Sequence, residues 1–225
     1  VPGGAGPTLR RLRNQARLQL QERTTGERVW ELIEPDWGVP GRGLALLPEP
    51  SQWDVFFDIE ADPWATDAGL EYLLGIVTVD TGEAVYRPIW GTSADGERAA
   101  FGELMDFVMT RLAAHPEFHV FHYGGYESGA LKRLVGRHGT GAEELDRLLR
   151  GETLVDLLNV VRQGVRASVE SYSLKQIEKF YLPAREGPVT EAGFSVVKFE
   201  EWLGDGDDRI LTEIADYNRD DCVST

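Results

Sequence analysis

The segment Val55-Phe56-Phe57-Asp58-Ile59-Glu60 constrains this chain more than any other. A short apolar run of this kind reads as a buried strand, and residues two apart on a strand point to the same face. Asp58 and Glu60 therefore project two carboxylates together from a strand end. Two close carboxylates repel and are costly to keep ionised unless a cation lies between them. A hard divalent cation with oxygen ligands meets that need. Taken alone, D-x-E is a common pattern, and a loop with two exposed acids explains it equally well.

Two other segments shift that balance. Tyr217-Asn218-Arg219-Asp220-Asp221 lies in a predicted helix, Asp208 to Thr225, and Tyr217 and Asp221, four apart, share one helical face. Between the two ends, the apolar stretch Phe118-His119-Val120-Phe121 reads as a strand running into His122-Tyr123-Gly124-Gly125-Tyr126-Glu127. Its glycines make a turn, and Glu127 enters a helix, Ser128 to His138. An acid at a helix start is also simply favourable with the helix dipole.

Together these segments resemble the three exonuclease motifs of the DnaQ-like superfamily. Asp58 and Glu60 match its D-x-E, Tyr126-Glu127 match the acid after a turn with an aromatic before it, and Tyr217 with Asp221 match Y-x-x-x-D. The second motif usually carries Asp, so the Glu here departs from the pattern. No His stands four or five residues before Asp221, which places the resemblance with the tyrosine subclass. Leu46-Leu47-Pro48-Glu49-Pro50, Ala61-Asp62-Pro63, Val155-Asp156-Leu157, Ser171-Tyr172-Ser173-Leu174-Lys175 and Tyr217-Asn218 narrow it further, to bacterial RecB-like nuclease/helicase fusion proteins. The resemblance runs from about Leu9 to the end. It implies an α/β, ribonuclease H-like fold: a mixed five-stranded sheet with helices on both faces.

Net charge bears on what such a fold could bind. At −15, the chain is a poor unaided surface for nucleic acid. A metal site must concentrate acids, however, and bound cations neutralise some of them. Leu9 to Arg28 runs the other way, with Arg10, Arg11, Arg13, Arg17, Arg23 and Arg28; it reads first as a solvated helix face. A single cysteine, Cys222, excludes an internal disulfide. No apolar run approaches the ~18 residues of a membrane span, and no secretory signal is visible, so a cytoplasmic protein with no membrane partner is expected. Both ends look cut, as in a fragment of a larger chain.

Residues 1–50 read as an N-terminal part: a Gly/Pro-rich start expected to be disordered up to Pro7, a helix Leu9–Arg23, and a Pro/Gly-rich connector from Glu34 to Pro50. Residues 51–225 read as the ribonuclease H-like domain. Its expected strands are Val55–Glu60, Tyr72–Val79, Ala84–Trp90 and Phe118–Phe121, with a short element at Thr153–Val155. Its expected helices are Glu97–Ala114, Ser128–His138, Leu157–Gln163, Leu174–Phe180 and Phe194–Leu203, besides the last one.

The resemblance implies a metal-dependent 3′→5′ exonuclease acting on single-stranded DNA or RNA. Two cations about 3.5–4 Å apart clamp the attacking and leaving oxygens in such reactions, and Mg²⁺ or Mn²⁺ suits all-oxygen ligands. Asp58, Glu60 and Asp221 are the expected ligands, Glu127 a further ligand directly or through water, and Tyr217 the residue that orients the attacking water. Asp156 is expected as a structural or outer acid, Asp62 in a turn before Pro63, and His122 as a hydrogen-bonded structural residue. Linked nuclease and helicase-like regions are the expected partners in a parent chain. The alternative is a ribonuclease H-like binding or scaffold module without turnover; a third reading, an endonuclease for branched or hybrid duplexes, shares the same site.

Overall fold

The computed structural model describes residues 5–34, 41–183 and 193–225. In chain order the helices are α1 (Ala5–Thr25), α2 (Ala94–Ala114), α3 (Tyr126–His138), α4 (Ala142–Arg150), α5 (Leu157–Gly164), α6 (Leu174–Ile177), α7 (Phe194–Asp205) and α8 (Asp208–Ser224). The strands are β1 (Trp30–Leu32), β2 (Val55–Asp62), β3 (Leu70–Thr78), β4 (Val85–Trp90), β5 (Val120–His122), β6 (Leu154–Asp156) and β7 (Val165–Ala167). Contacts group them into two compact units, Glu49–Asp156 with Ala184–Thr225, and Val1–Pro48 with Leu157–Pro183.

The first of these holds a five-stranded sheet of order β4-β3-β2-β5-β6. β2 runs antiparallel to β3 and parallel to β5, and β5 parallel to β6. The expected mixed sheet is therefore present. Alternation along β2 sorts its side chains. Val55, Phe57 and Ile59 enter a core built with Leu74, Ile76 and the inner faces of α2, α3 and α4. Asp58 and Glu60 lie on the opposite face, where α7 and α8 pack.

The pairing of β2 and β3 slips once. Glu60 faces Leu73 while Asp62 faces Leu70, so β3 spends one more residue than β2. Such a bulge reverses the alternation beyond it. Tyr72 and Leu73 both join Phe199, Ile210 and Ile214 on the α7–α8 side, with Tyr72 stacked on Phe199 at 3.8 Å. Glu71 is turned to the α2–α3 side. There it accepts from Arg133 and Arg137, and Arg137 and His138 also bond Glu97. Three charged or chargeable partners thus close a network around two buried acids.

The other unit is small. α1 lies along β7, whose partner in a two-stranded ladder is β1. Residues 157–183 group with this unit rather than with the rest of 51–225. The cause is main-chain bonding: β7 pairs with β1, and the Ile33 amide donates to the Gly164 carbonyl at 2.8 Å.

Several boundaries move from the sequence expectation. α1 starts at Ala5, with Pro7 tolerated in its first turn; the rest of the expected disordered start, residues 1–4, lies outside the described residues. So do 35–40 of the connector, whose described remainder contains a 3-10 turn at Gly43–Leu46. α2 begins at Ala94 because Ser93 accepts from the Gly96 amide. The expected helix 174–180 divides into α6 and a 3-10 turn. α4 was not expected, nor were the three-residue strands β1 and β7.

Candidate metal centre

β2 and α8 meet at the acids. α8 buries Ile210, Ile214, Asn218, Asp221 and Cys222, a stripe at helical spacing. Its close seating on β3 depends on Gly75. A Cβ there would lie 1.6 Å from Asn218 Oδ1 and 3.2 Å from Cys222 Sγ. Gly75 is also the cross-strand partner of Asp58, so the absence of a side chain admits Asn218 directly beside that acid. Asn218 Nδ2 donates to Asp58 Oδ2 at 2.8 Å, and its Oδ1 accepts from the Tyr86 hydroxyl at 2.8 Å. Burial, then the neighbouring Cys222, Glu60 and Asp58, push the Tyr86 phenol up out of its ordinary range. It therefore stays a neutral donor.

The next helical residue in this stripe brings Asp221 to the strand. Asp58, Glu60 and Asp221 each offer a carboxylate oxygen within 4.8 Å of the others. Glu60 and Asp221 are buried and Asp58 is half-buried. Glu60 is oriented from a third element, because Ser195 at the start of α7 donates to its Oε2 at 2.5 Å. Three hard oxygen donors drawn from a strand and a helix fit a divalent cation. The charge is felt by its neighbours. Burial, then Asp58 and Asp221, raise the Cys222 thiol well above its ordinary value. This thiol lies 3.4 Å from the Gly75 carbonyl and is fully buried.

Glu127 stands apart from this trio. It opens α3 as expected and is 4% exposed, but it is not one of the acids that converge. Its Oε2 lies 3.3 Å from His122 Nδ1 and makes no hydrogen bond. His122 Nδ1 is instead 2.7 Å from the Gly124 carbonyl, which it serves as a donor. Gly124 takes φ 108°, closed to side-chain-bearing residues, and its amide donates to Asp156 Oδ1 at 2.9 Å. Asp156 at the end of β6 thus holds the turn that presents Glu127. An orphaned, buried carboxylate oxygen is costly, and water or a cation is the natural complement to it.

Tyr217 lies one helical turn before Asp221, with its ring 5.8 Å from that of Phe194. Asp62 makes the expected turn, accepting from the Trp64 amide at 2.7 Å. It is also fully buried, and the proximity of its carboxylate raises the pKa of Glu200 on α7. Asp220 is half exposed and pairs with Arg219. Trp64 and Tyr126 are exposed. Lys175 belongs to the other unit. Sequence reasoning missed Asn218, Ser195, Tyr86 and Gly75. Asn218 carried a signal, being adjacent to Tyr217 and four residues before Cys222; the others carried none.

A mixed sheet whose central strand faces a C-terminal helix through converging carboxylates defines a ribonuclease H-like domain. The sequence matches the family RNase_H_2 of the RNase_H superfamily over residues 55–225, and the chain belongs to that family. Such domains are generally nucleases that bind nucleic acid and typically use divalent metals. No curated protein and no solved structure matches the chain. Among the described residues no helix is long and apolar enough to cross a membrane.

Proposed function

We propose that this domain is a metal-dependent 3′→5′ exonuclease of the tyrosine subclass, acting on single-stranded DNA or RNA. The convergence of Asp58, Glu60 and Asp221 within 4.8 Å carries the reading. In it these three carboxylates hold two Mg²⁺ or Mn²⁺ ions, and Glu127 completes the shell directly or through water. Bound there, such ions would supply a water of lowered pKa and neutralise charge on the phosphate. Tyr217 orients that water through its hydroxyl. Asn218 and Ser195 each donate to a ligand carboxylate, which fixes its rotamer before substrate arrives. Linked nuclease and helicase-like regions belong to the same proposal, on sequence resemblance alone.

The test is progressive shortening of a 5′-labelled single strand in Mg²⁺ or Mn²⁺. Asp58→Ala and Asp221→Ala are each expected to cut the rate by on the order of 10³-fold or more, with the circular dichroism spectrum unchanged. Shortening at the wild-type rate in either variant overturns the site.

One observation favours the alternative scaffold reading. Glu127 does not join the convergent acids. A scaffold predicts no Mn²⁺-dependent turnover on any single strand, hybrid or branched duplex, whereas an endonuclease predicts internal cuts.

A further inference from the structure

Charge is segregated between the two units. The unit of Val1–Pro48 and Leu157–Pro183 carries eleven of the 23 Lys/Arg and seven of the 38 Asp/Glu, leaving twelve and 31 for the sheet unit. A chain of net charge −15 therefore contains a compact part with a basic excess. Within that part lies a cavity of about 330 Å³, lined by Arg11, Gln15, Arg162, Arg166, Glu170 and Tyr172 among others. Arg166 is committed to Glu31, and Glu170 lies 3.8 Å from Arg23. Arg11 and Arg162 are exposed, and among the described residues neither has an acidic partner within ion-pairing distance. Two uncommitted guanidiniums at one concavity are a recognisable anion receptor, since the planar fork matches phosphate oxygens in pairs. Tyr172 is held in place, its hydroxyl accepting from the Ala167 amide at 3.0 Å. It brings a fixed aromatic residue to the cavity wall.

We infer that this cavity is a phosphate-binding subsite for the backbone of a single-stranded polynucleotide, with Arg11 and Arg162 as its ligands to phosphate. The inference rests on the reading of the chain as a nucleic-acid enzyme. It answers the objection that net charge raises against that reading, because the grip and the metal-holding acids lie in separately charged units. The volume suits one nucleotide unit, so the subsite fixes backbone position and reads no sequence.

The experiment is fluorescence anisotropy of a short labelled oligothymidylate in EDTA, as a function of salt, for wild type, Arg11→Gln/Arg162→Gln and Arg98→Gln. Arg98 is exposed on α2 and serves as a charge control. The double variant is expected to bind on the order of tenfold more weakly and to lower the slope of log K against log salt by about 1.4, at ~0.7 per phosphate contact. Arg98→Gln is expected to retain the wild-type slope. In parallel, Mn²⁺-dependent hydrolysis of the p-nitrophenyl ester of thymidine 5′-phosphate is expected to be equal in wild type and double variant. Unchanged affinity and slope in the double variant overturn the subsite. An equal slope loss in Arg98→Gln also overturns it, reducing the effect to net charge. Binding to phosphatidylglycerol vesicles in place of the oligonucleotide, lost in the double variant, assigns the patch to lipid and overturns it as well. An ester that neither protein hydrolyses, with oligonucleotide affinity lost as described, sinks the exonuclease reading and leaves the subsite standing.

Discussion

In the sheet unit, several carboxylates are buried and answered, Glu127 being an exception. Glu71 and Glu97 are 3% and 0% exposed and share Arg133, Arg137 and His138, while Glu60 is met by Ser195 and Asp58 by Asn218. In the smaller unit, charge is mostly less buried: Arg17 and Glu31 pair with half-exposed side chains, and Leu9, Leu12, Leu20, Trp30 and Leu32 are themselves exposed. The difference teaches where precision is located. Buried charge is costly without fixed partners, so a unit that buries paired acids has its helices and strands held at defined depth. Surface charge asks for no such geometry, and suits a ligand whose backbone is repetitive.

Breaking the first half of that contrast should give the largest effect. Arg137→Met leaves Glu71 and Glu97 buried with fewer partners, and about 3–5 kcal/mol of stability is expected to be lost in urea unfolding. Burial raises the Glu97 pKa, but Arg137 and its other hydrogen bonds outweigh this and the net shift is downward. A depressed carboxylate stabilises the fold above its ordinary value of 4.5 and loses that stabilisation as pH falls through the folded value. Wild type should therefore lose stability on acidification below that point, and Arg137→Met should lose less.

Gly75→Ala comes next. The added methyl collides with Asn218, and overpacking of this kind costs about 1–3 kcal/mol. Thermal unfolding should show a drop of roughly 5 °C, together with weakened metal binding because Asn218 leaves Asp58. Asn218→Ala isolates the second effect. It is expected to weaken Mn²⁺ affinity by about 10–100-fold in calorimetry while sparing the fold. Equal Mn²⁺ affinity in this variant would show that Asp58 needs no support. The smallest effect belongs to the other unit. Arg17→Met removes an exposed pair and should change stability by about 0–1 kcal/mol; a larger loss would erase the contrast.

Most of the strands and helices that could be read from sequence had a period long enough to register, although the three-residue β5 and β6 were read as well. β2 announced itself by its apolar run, and α2 and α8 by their stripes. α4 did not: it sits between Gly141 and Gly151, and its glycine-rich flanks obscure Leu145 and Leu148. β1 and β7 have three residues each and exist through long-range pairing, which no local pattern encodes. Asp58, Glu60 and Asp221 were singled out through the resemblance to known motifs, D-x-E alone being a common pattern, and the structure brings them together. Their supports were not legible. Ser195 and Tyr86 act across large sequence separations, and Gly75 acts by lacking an atom. Glu127 was legible as the opening of a helix, whereas its distance from the other acids depends on how the Gly124 turn is tied to Asp156.

The position of Cys222 has a practical corollary. It is the sole thiol of the chain, sealed between α8 and the Gly75 carbonyl. A thiol reagent can reach it only when that helix lifts from the strand. Its rate of alkylation, followed as mass increase over time, is thus a direct count of how often the helix carrying Asp221 opens, without any label being introduced. Slowing of that reaction by Mn²⁺ would measure, in the same experiment, how strongly a cation staples the two halves of the carboxylate cluster together.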